Sequence, residues 1–229
     1  MRRLLETTQH TLDVHKNLKA LQPGGEGWES SVRVRLLHSS VRRRIINLAA
    51  QQPEYYDREA DGVPINDMDS IITMNDFSSL VMYLGIPRQG LQPTKQEIAD
   101  YLAVWRYICY IMGTPDWFLS SPEQGKAMME SILTYEVKPD PAKSGLISNN
   151  MINGMVGQKP SYASRPFLCA SAYWMNGKEV AKELQIEEPG LYYKALVAGQ
   201  CWMFMITHTI RRVLPFADNA MNEVCSISL

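Results

Sequence analysis

The segment Val32-Arg33-Val34-Arg35-Leu36-Leu37-His38-Ser39-Ser40-Val41-Arg42-Arg43-Arg44-Ile45 has the spacing of a helix, not of a strand. At about 100° of turn per residue, Val34, His38, Val41 and Ile45 share one face, while Arg35 and Arg42 flank the histidine on adjoining positions. An apolar stripe of this kind is expected to face a core. The rest of the chain repeats the helical period, broken at Pro and Gly.

Working outward, a first helix is expected over 2–21, ended by Gln22-Pro23-Gly24-Gly25, and a second over 29–51. Residues 52–66 form a polar loop. Asp67 or Asp69 then caps a short helix, and Asn75 caps another that runs to Gly85. Thr94 caps a helix over 95–112, with Glu97 placed for a capping box. Further helices are expected near 122–136, 144–156, 164–185 and 189–214, the last stopped by Pro215. No stretch alternates long enough for a sheet. The expectation is an all-α single domain over 1–216, with a polar tail at 217–229.

Composition bounds the function. Of 229 residues, 45% are apolar and 21% charged, and the net charge is -1. That is an ordinary globular balance and no nucleic-acid-binding surface. Residues 1–51 nevertheless carry nine Lys/Arg against four Asp/Glu. Thirteen Met suit a soft apolar interior or pocket. Cys109, Cys169, Cys201 and Cys225 form no C-x-x-C pair, so reduced thiols in an intracellular compartment are expected. Met1-Arg2-Arg3 leads into a polar helix, not a signal peptide. The longest uncharged run, Ala195–Ile210, is too short for a membrane span, and a buried helix is expected there. Phosphate-binding loops, nucleophile elbows and H-E-x-x-H are absent. Gly199-Gln200-Cys201-Trp202 faintly resembles a cysteine-protease segment, but it lies in an apolar helix with no room for a downstream base, so Cys201 is expected in a core.

Four histidines remain. His10 and His15 point about 140° apart on one helix and cannot share a metal. His208, on an apolar helix, is expected to be a satisfied core histidine. His38 differs, because an imidazole in apolar surroundings beside two guanidiniums can ligate a metal or a haem iron while the arginines fork onto carboxylates. Two plainer readings compete: an amphipathic helix with a buried histidine, and a phosphate-binding patch, which the interleaved apolar residues argue against. A second candidate face lies on the first helix: Arg3, Thr7, His10 and Val14, with Glu6 adjacent. A hydroxyl, an acid and a base there could handle dioxygen and a proton. The plainer reading is a solvated face, with Leu4, Leu5 and Leu12 buried.

Arg35-Leu-Leu-His38-Ser-Ser-Val-Arg42 resembles the R-x-x-H-x-x-V-R motif of the latex clearing protein (rubber oxygenase) family. That family includes fungal ER-bound oxygenases that cleave the terpenoid side chain in mycophenolic acid biosynthesis. Arg3-Leu-Leu-Glu6-Thr7 is similar to its R-x-x-K-T segment. Gly62-Val-Pro-Ile-Asn66, followed by Asp69, Thr73 and Phe77, is similar to its G-x-P-[IL]-N segment, and Trp105-Arg106 through Met112-Gly113 to its later W-R helix. The likeness covers roughly residues 3–118.

The resemblance implies a globin-like helical core, in a truncated or minimal version of the family fold, holding haem b. His38 would then be the proximal iron ligand, Arg3 and Thr7 would lie on the distal side, and Arg35 and Arg42 would support the haem. Glu6 stands where the family has a distal lysine. The implied reaction is O₂-dependent cleavage of a carbon–carbon double bond in an apolar, polyisoprenoid or terpenoid substrate, as in secondary-metabolite tailoring. Peripheral association with the endoplasmic reticulum membrane is implied too. Two alternatives stay open: a non-haem iron oxygenase using His38, His10 and Glu6, and a truncated, non-catalytic helical ligand-binding member.

Overall fold

The computed structural model describes residues 2–136, 141–159 and 161–213. In chain order the elements are α1 Arg2–His15, α2 Glu26–Gln51, a 3₁₀ turn Pro53–Tyr55, α3 Arg58–Asp61, α4 Asp67–Phe77, a π turn Val81–Gly85, α5 Ile86–Arg88, α6 Lys95–Met112, a 3₁₀ turn Trp117–Leu119, α7 Pro122–Ser131, a π turn Ile132–Glu136, α8 Pro141–Met155, α9 Arg165–Asn176, α10 Lys178–Glu183 and α11 Leu191–Val213. No strand occurs among the described residues. The protein is all-α. The tail expected from 217 lies outside the described residues, as does Cys225. The helices form two compact units. One is Met1–Val81 with Thr94–Val137, the other Met82–Pro93 with Lys138–Leu229.

The first unit is organised by α6. Leu102, Trp105, Ile108, Cys109 and Met112 recur at helical spacing and are buried. Each large apolar side chain removed from water there stabilises the fold by roughly 1.5–3 kcal/mol. Thr94 and Glu97 cap the start of α6 reciprocally, as their spacing predicts. Its end is set by Gly113, whose φ of 72° is left-handed and costs a glycine little. Burial pushes the Cys109 thiol up to about 12, with Asp116 adding to the effect, so it is inert as a nucleophile.

Helix α1 lies antiparallel against the start of α2. Lys16 pairs with Glu26 at 2.7 Å, and His10 meets Ser30 at 3.1 Å. A Cβ on Gly27 would come within 2.9 Å of the Val14 Cα, so only glycine lets the backbones approach this closely. The first helix ends at His15, six residues before the expected position. Asn17 is the cause: its side-chain oxygen accepts the Ala20 N–H at 2.9 Å, and this local turn competes with the helix.

Two further caps differ from expectation. Asn66, not Asp67 or Asp69, caps α4, sharing a reciprocal pair with Asp69. Asn75 caps nothing: it sits inside α4, fully buried, and its amide has no hydrogen-bond partner among the described residues.

In the second unit α9 is central. Cys169 packs with Ile152 and Ile186, and Ala170 packs with Val197 and Cys201. Arg165 links three segments, donating to Asn153 Oδ1 at 3.0 Å, Asn149 Oδ1 at 2.8 Å and Glu187 Oε2 at 3.0 Å. The helix expected over 164–185 is two helices, separated at Gly177 (φ 85°). Cys109, Cys169 and Cys201 are free and buried, as expected of Cys201.

The apolar run Ala195–Ile210 lies in α11, and this helix is not buried as expected. Val197 and Cys201 are its only buried positions among the described residues, because α9 covers just one stripe of it. His208 is not a satisfied core residue either, since its Nε2 is buried without a partner. Among the described residues no helix is long and apolar enough to cross a membrane.

Candidate functional site

His38 lies on the same face of α2 as Gly27 and Ser31, the two residues of that helix that are fully buried. Farther along this face the cover thins, and Val34, His38, Val41, Arg42 and Ile45 are half-buried. The expected stripe therefore does point inward, but it is sealed only at its N-terminal end. Val34 and Val41 flank His38 on one side. Leu37, next to them, is 54% exposed. On the other side stand Arg35 and Arg42.

The two arginines are committed to main-chain carbonyls. Arg35 Nη1 donates to the Ile111 carbonyl at 2.9 Å, satisfying the open end of α6. Its guanidinium lies where a Cβ on Gly113 would be, 2.9 Å from the Cζ. Arg42 Nε donates to the Pro64 carbonyl at 3.0 Å, and its Nη2 donates to the Ile65 carbonyl. Ile65 has a φ of 52°, a conformation an isoleucine rarely adopts unless held. Three separated sequence segments are thus joined through Arg35 and Arg42: the R-x-x-H-x-x-V-R helix, the G-x-P-I-N loop and the end of the W-R helix.

The His38 ring has no hydrogen-bond partner among the described residues. Burial, and then the charge of Arg42, hold its pKa below the ordinary histidine value. Both effects favour the neutral imidazole, and neither ring nitrogen is committed to a described residue. That is the form a metal ion requires.

Helix α1 divides its candidate face in two. His10 and Val14 are buried, whereas Arg3, Glu6 and Thr7 are exposed. Glu6 accepts from Arg2 at 2.7 Å, and Thr7 Oγ1 donates back to the Arg3 carbonyl at 3.0 Å. Leu5 and Leu12 are 54% and 51% exposed and Leu4 is half-buried, so His10 and Val14, not the three leucines, form the buried side of this helix. The three-ligand set of His38, His10 and Glu6 does not form. No cluster of three or more His, Cys, Asp or Glu suited to a metal ion occurs among the described residues. Glu6 is turned to solvent and His10 is tied to Ser30.

His10, which spacing placed on the candidate face of α1, is buried, and its Nε2 has no partner among the described residues; its burial was not read from that face. The available signal was the Gly27-x-x-x-Ser31 pair on α2, whose small side chains admit α1. Burial dominates the lowering of the His10 pKa, with His15 and His38 opposing its charge and Asp13 favouring it. The unfolded chain therefore binds this proton more readily than the folded one. Stability is full above about pH 6.5 and declines as pH falls toward the lowered folded value. Urea unfolding at pH 7 and at pH 5.5 measures this, and His10→Gln reduces the difference. An unaltered pH dependence in that variant would remove His10 from the account.

Two cavities among the described residues lie elsewhere. One, about 670 Å³, is lined by Ile46, Ala49, Tyr56 and Asp57, and the other, about 330 Å³, by Cys169, Glu187 and Tyr193. Neither is lined by His38.

Comparison with known families gives one match: the model for "ER-bound oxygenase mpaB/B'/Rubber oxygenase, catalytic domain" covers residues 1–205. No curated protein and no solved structure matches the chain.

Proposed function

The chain belongs to the family of ER-bound oxygenase mpaB/B' and rubber oxygenase catalytic domains, and on that premise we propose that it is a haem-dependent oxygenase. Its reaction is the O₂-dependent cleavage of a carbon–carbon double bond in an apolar isoprenoid chain, a tailoring step in secondary metabolism. The observation that carries the reading is His38: a partnerless imidazole favoured in its neutral form, on a half-covered helix face, set between an apolar and a basic flank.

The residues fit haem b. His38 offers one axial nitrogen to the iron. Leu37, with Val34 and Val41, offers an apolar flank to a porphyrin face. Arg3 on α1 is exposed and is the guanidinium best placed by resemblance for the distal side. Arg35 and Arg42 act through the backbone: they pin α2 to α6 and to the loop at 64–65, and so hold His38 in place.

The bound haem would supply the one-electron activation of O₂ that an alkene requires. Thr7 and Glu6 then hold the polar groups of α1 for proton handling. Glu6 is positioned by Arg2. The apolar substrate class and the family description support a peripheral association with the endoplasmic reticulum.

Titrating the purified chain with haemin tests the proposal by absorption. The expected result is a Soret band that saturates at one haem per chain. Bound iron without that band would point to non-haem chemistry. A colourless chain that refuses haem would leave a helical ligand-binding or inert family member.

A further inference from the structure

The two guanidiniums beside His38 are drawn to one side of α2. Arg42 gives Nε and Nη2 to the Pro64 and Ile65 carbonyls, and Arg35 gives Nη1 to the Ile111 carbonyl and lies against Gly113. Arg33 is paired with Glu29 at 3.2 Å. Of the arginines on α2, that leaves Arg43 and Arg44. Both are exposed, and neither has an ion-pair partner among the described residues. No acid stands three or four places from either, so the helix itself supplies them no counter-charge.

The two differ in the side of the helix they occupy. At 100° per residue, Arg44 falls within about 20° of Leu37 and about 40° of Leu48, on the flank of Val34 and Val41. Arg43 falls on the opposite flank, with Val32 and Ala50. The flank of Arg44 is the open one. Helix α1 crosses α2 antiparallel, with Val14 at Gly27 and His10 at Ser30. Each step back along α1 is about one step forward along α2, so Arg2, its first residue, comes level with His38. At and beyond that level Leu37 and Arg44 are exposed, and Val41, Ile45 and Leu48 are half-buried. An apolar strip beside the histidine thus ends on an uncommitted guanidinium.

The spacing suits a carboxylate at the rim of a ring and not one beside the iron. The acid groups of haem b hang from the edge of its macrocycle. Arg44 is six residues from His38, about 9 Å along the axis, whereas Arg35 and Arg42 are about 4.5 and 6 Å along it. An arginine meets a carboxylate fork to fork, which a committed guanidinium such as that of Arg42 cannot do.

We propose that Arg44 binds a haem propionate on the open flank of α2, with Leu37 and Val41 against the ring, a role that the family resemblance gave to Arg35 and Arg42. It rests on the haem reading above.

Absorption titrations of the full chain with haemin and with haemin dimethyl ester, whose acid groups are blocked, test it. The unmodified protein binds haemin more tightly than the ester. Arg44→Ala lowers haemin affinity by about tenfold or more, as the loss of a charge-assisted hydrogen bond does, and leaves the ester unaffected. Arg44→Lys recovers part of the loss, because the charge returns without the fork. Arg43→Ala binds both like the unmodified chain. Far-UV circular dichroism of the haem-free variants verifies that each keeps its helices. If the unmodified chain gives a Soret band, four results overturn the proposal and leave the haem reading standing: equal affinity for haemin and ester, unchanged haemin affinity in Arg44→Ala, equal losses of both ligands in that variant, or an equal loss in Arg43→Ala. An unmodified chain that takes up neither ligand overturns both.

Discussion

His38→Ala protein, titrated with haemin, gives the spectrum of free haemin. The expected loss of affinity exceeds about 100-fold, since losing even an outer-shell partner of a metal ligand costs up to that much. No other histidine can take its place. His10 is buried and bonded to Ser30. His15 donates to the Thr11 carbonyl and stacks on Tyr101 at 5.4 Å. His208 belongs to the other unit. Removing the ring leaves space beside Val34 and Val41, so added imidazole should enter and restore the band. A Soret band of full intensity in His38→Ala, with no need of imidazole, would remove His38 as the ligand and with it the main support for the proposed function. Acid should weaken haem binding to the unmodified chain, because a proton competes for the ring nitrogen. The lowered His38 pKa carries binding to more acid conditions than an ordinary histidine would.

Arg42→Ala lowers the stability of the chain without haem by about 2–4 kcal/mol. Two charge-assisted hydrogen bonds are lost, and the Pro64 and Ile65 carbonyls lose their donor. Pro64 is buried, so water replaces the guanidinium poorly there. The Ile65 turn, at φ 52°, also loses what holds it. Lysine has no fork, so Arg42→Lys should recover part of the loss. Urea unfolding of the haem-free protein measures both. Unchanged stability, together with weakened haem retention, would show that Arg42 works on the cofactor's carboxylates and not on the loop.

The helices of this chain were legible wherever their signals are local. The capping box at Thr94 and Glu97 was placed correctly from spacing alone. So was the inward face of α2 carrying His38. Signals of two residues competing at short range were harder. Asn17 ended α1 by offering its own side chain, and Asn66 took the cap that Asp67 or Asp69 was expected to supply. Of the candidate site, the histidine and its two arginines were legible as neighbours on one helix. What the arginines hold was not: Arg35 reaches Ile111 and Arg42 reaches Pro64, and no window of sequence contains both partners.

The sequence by itself determined the helical class, the caps of α6 and the placing of His38 between apolar and basic flanks. These follow from periods and offsets of three or four residues. Only the tertiary structure decided that Arg35 and Arg42 grip carbonyls, that the N-terminal half of α1 stays open while His10 is buried, and that α11 turns its apolar side outward. Each depends on which element comes to lie against a face, and hydropathy shows that a face seeks cover without showing what provides it.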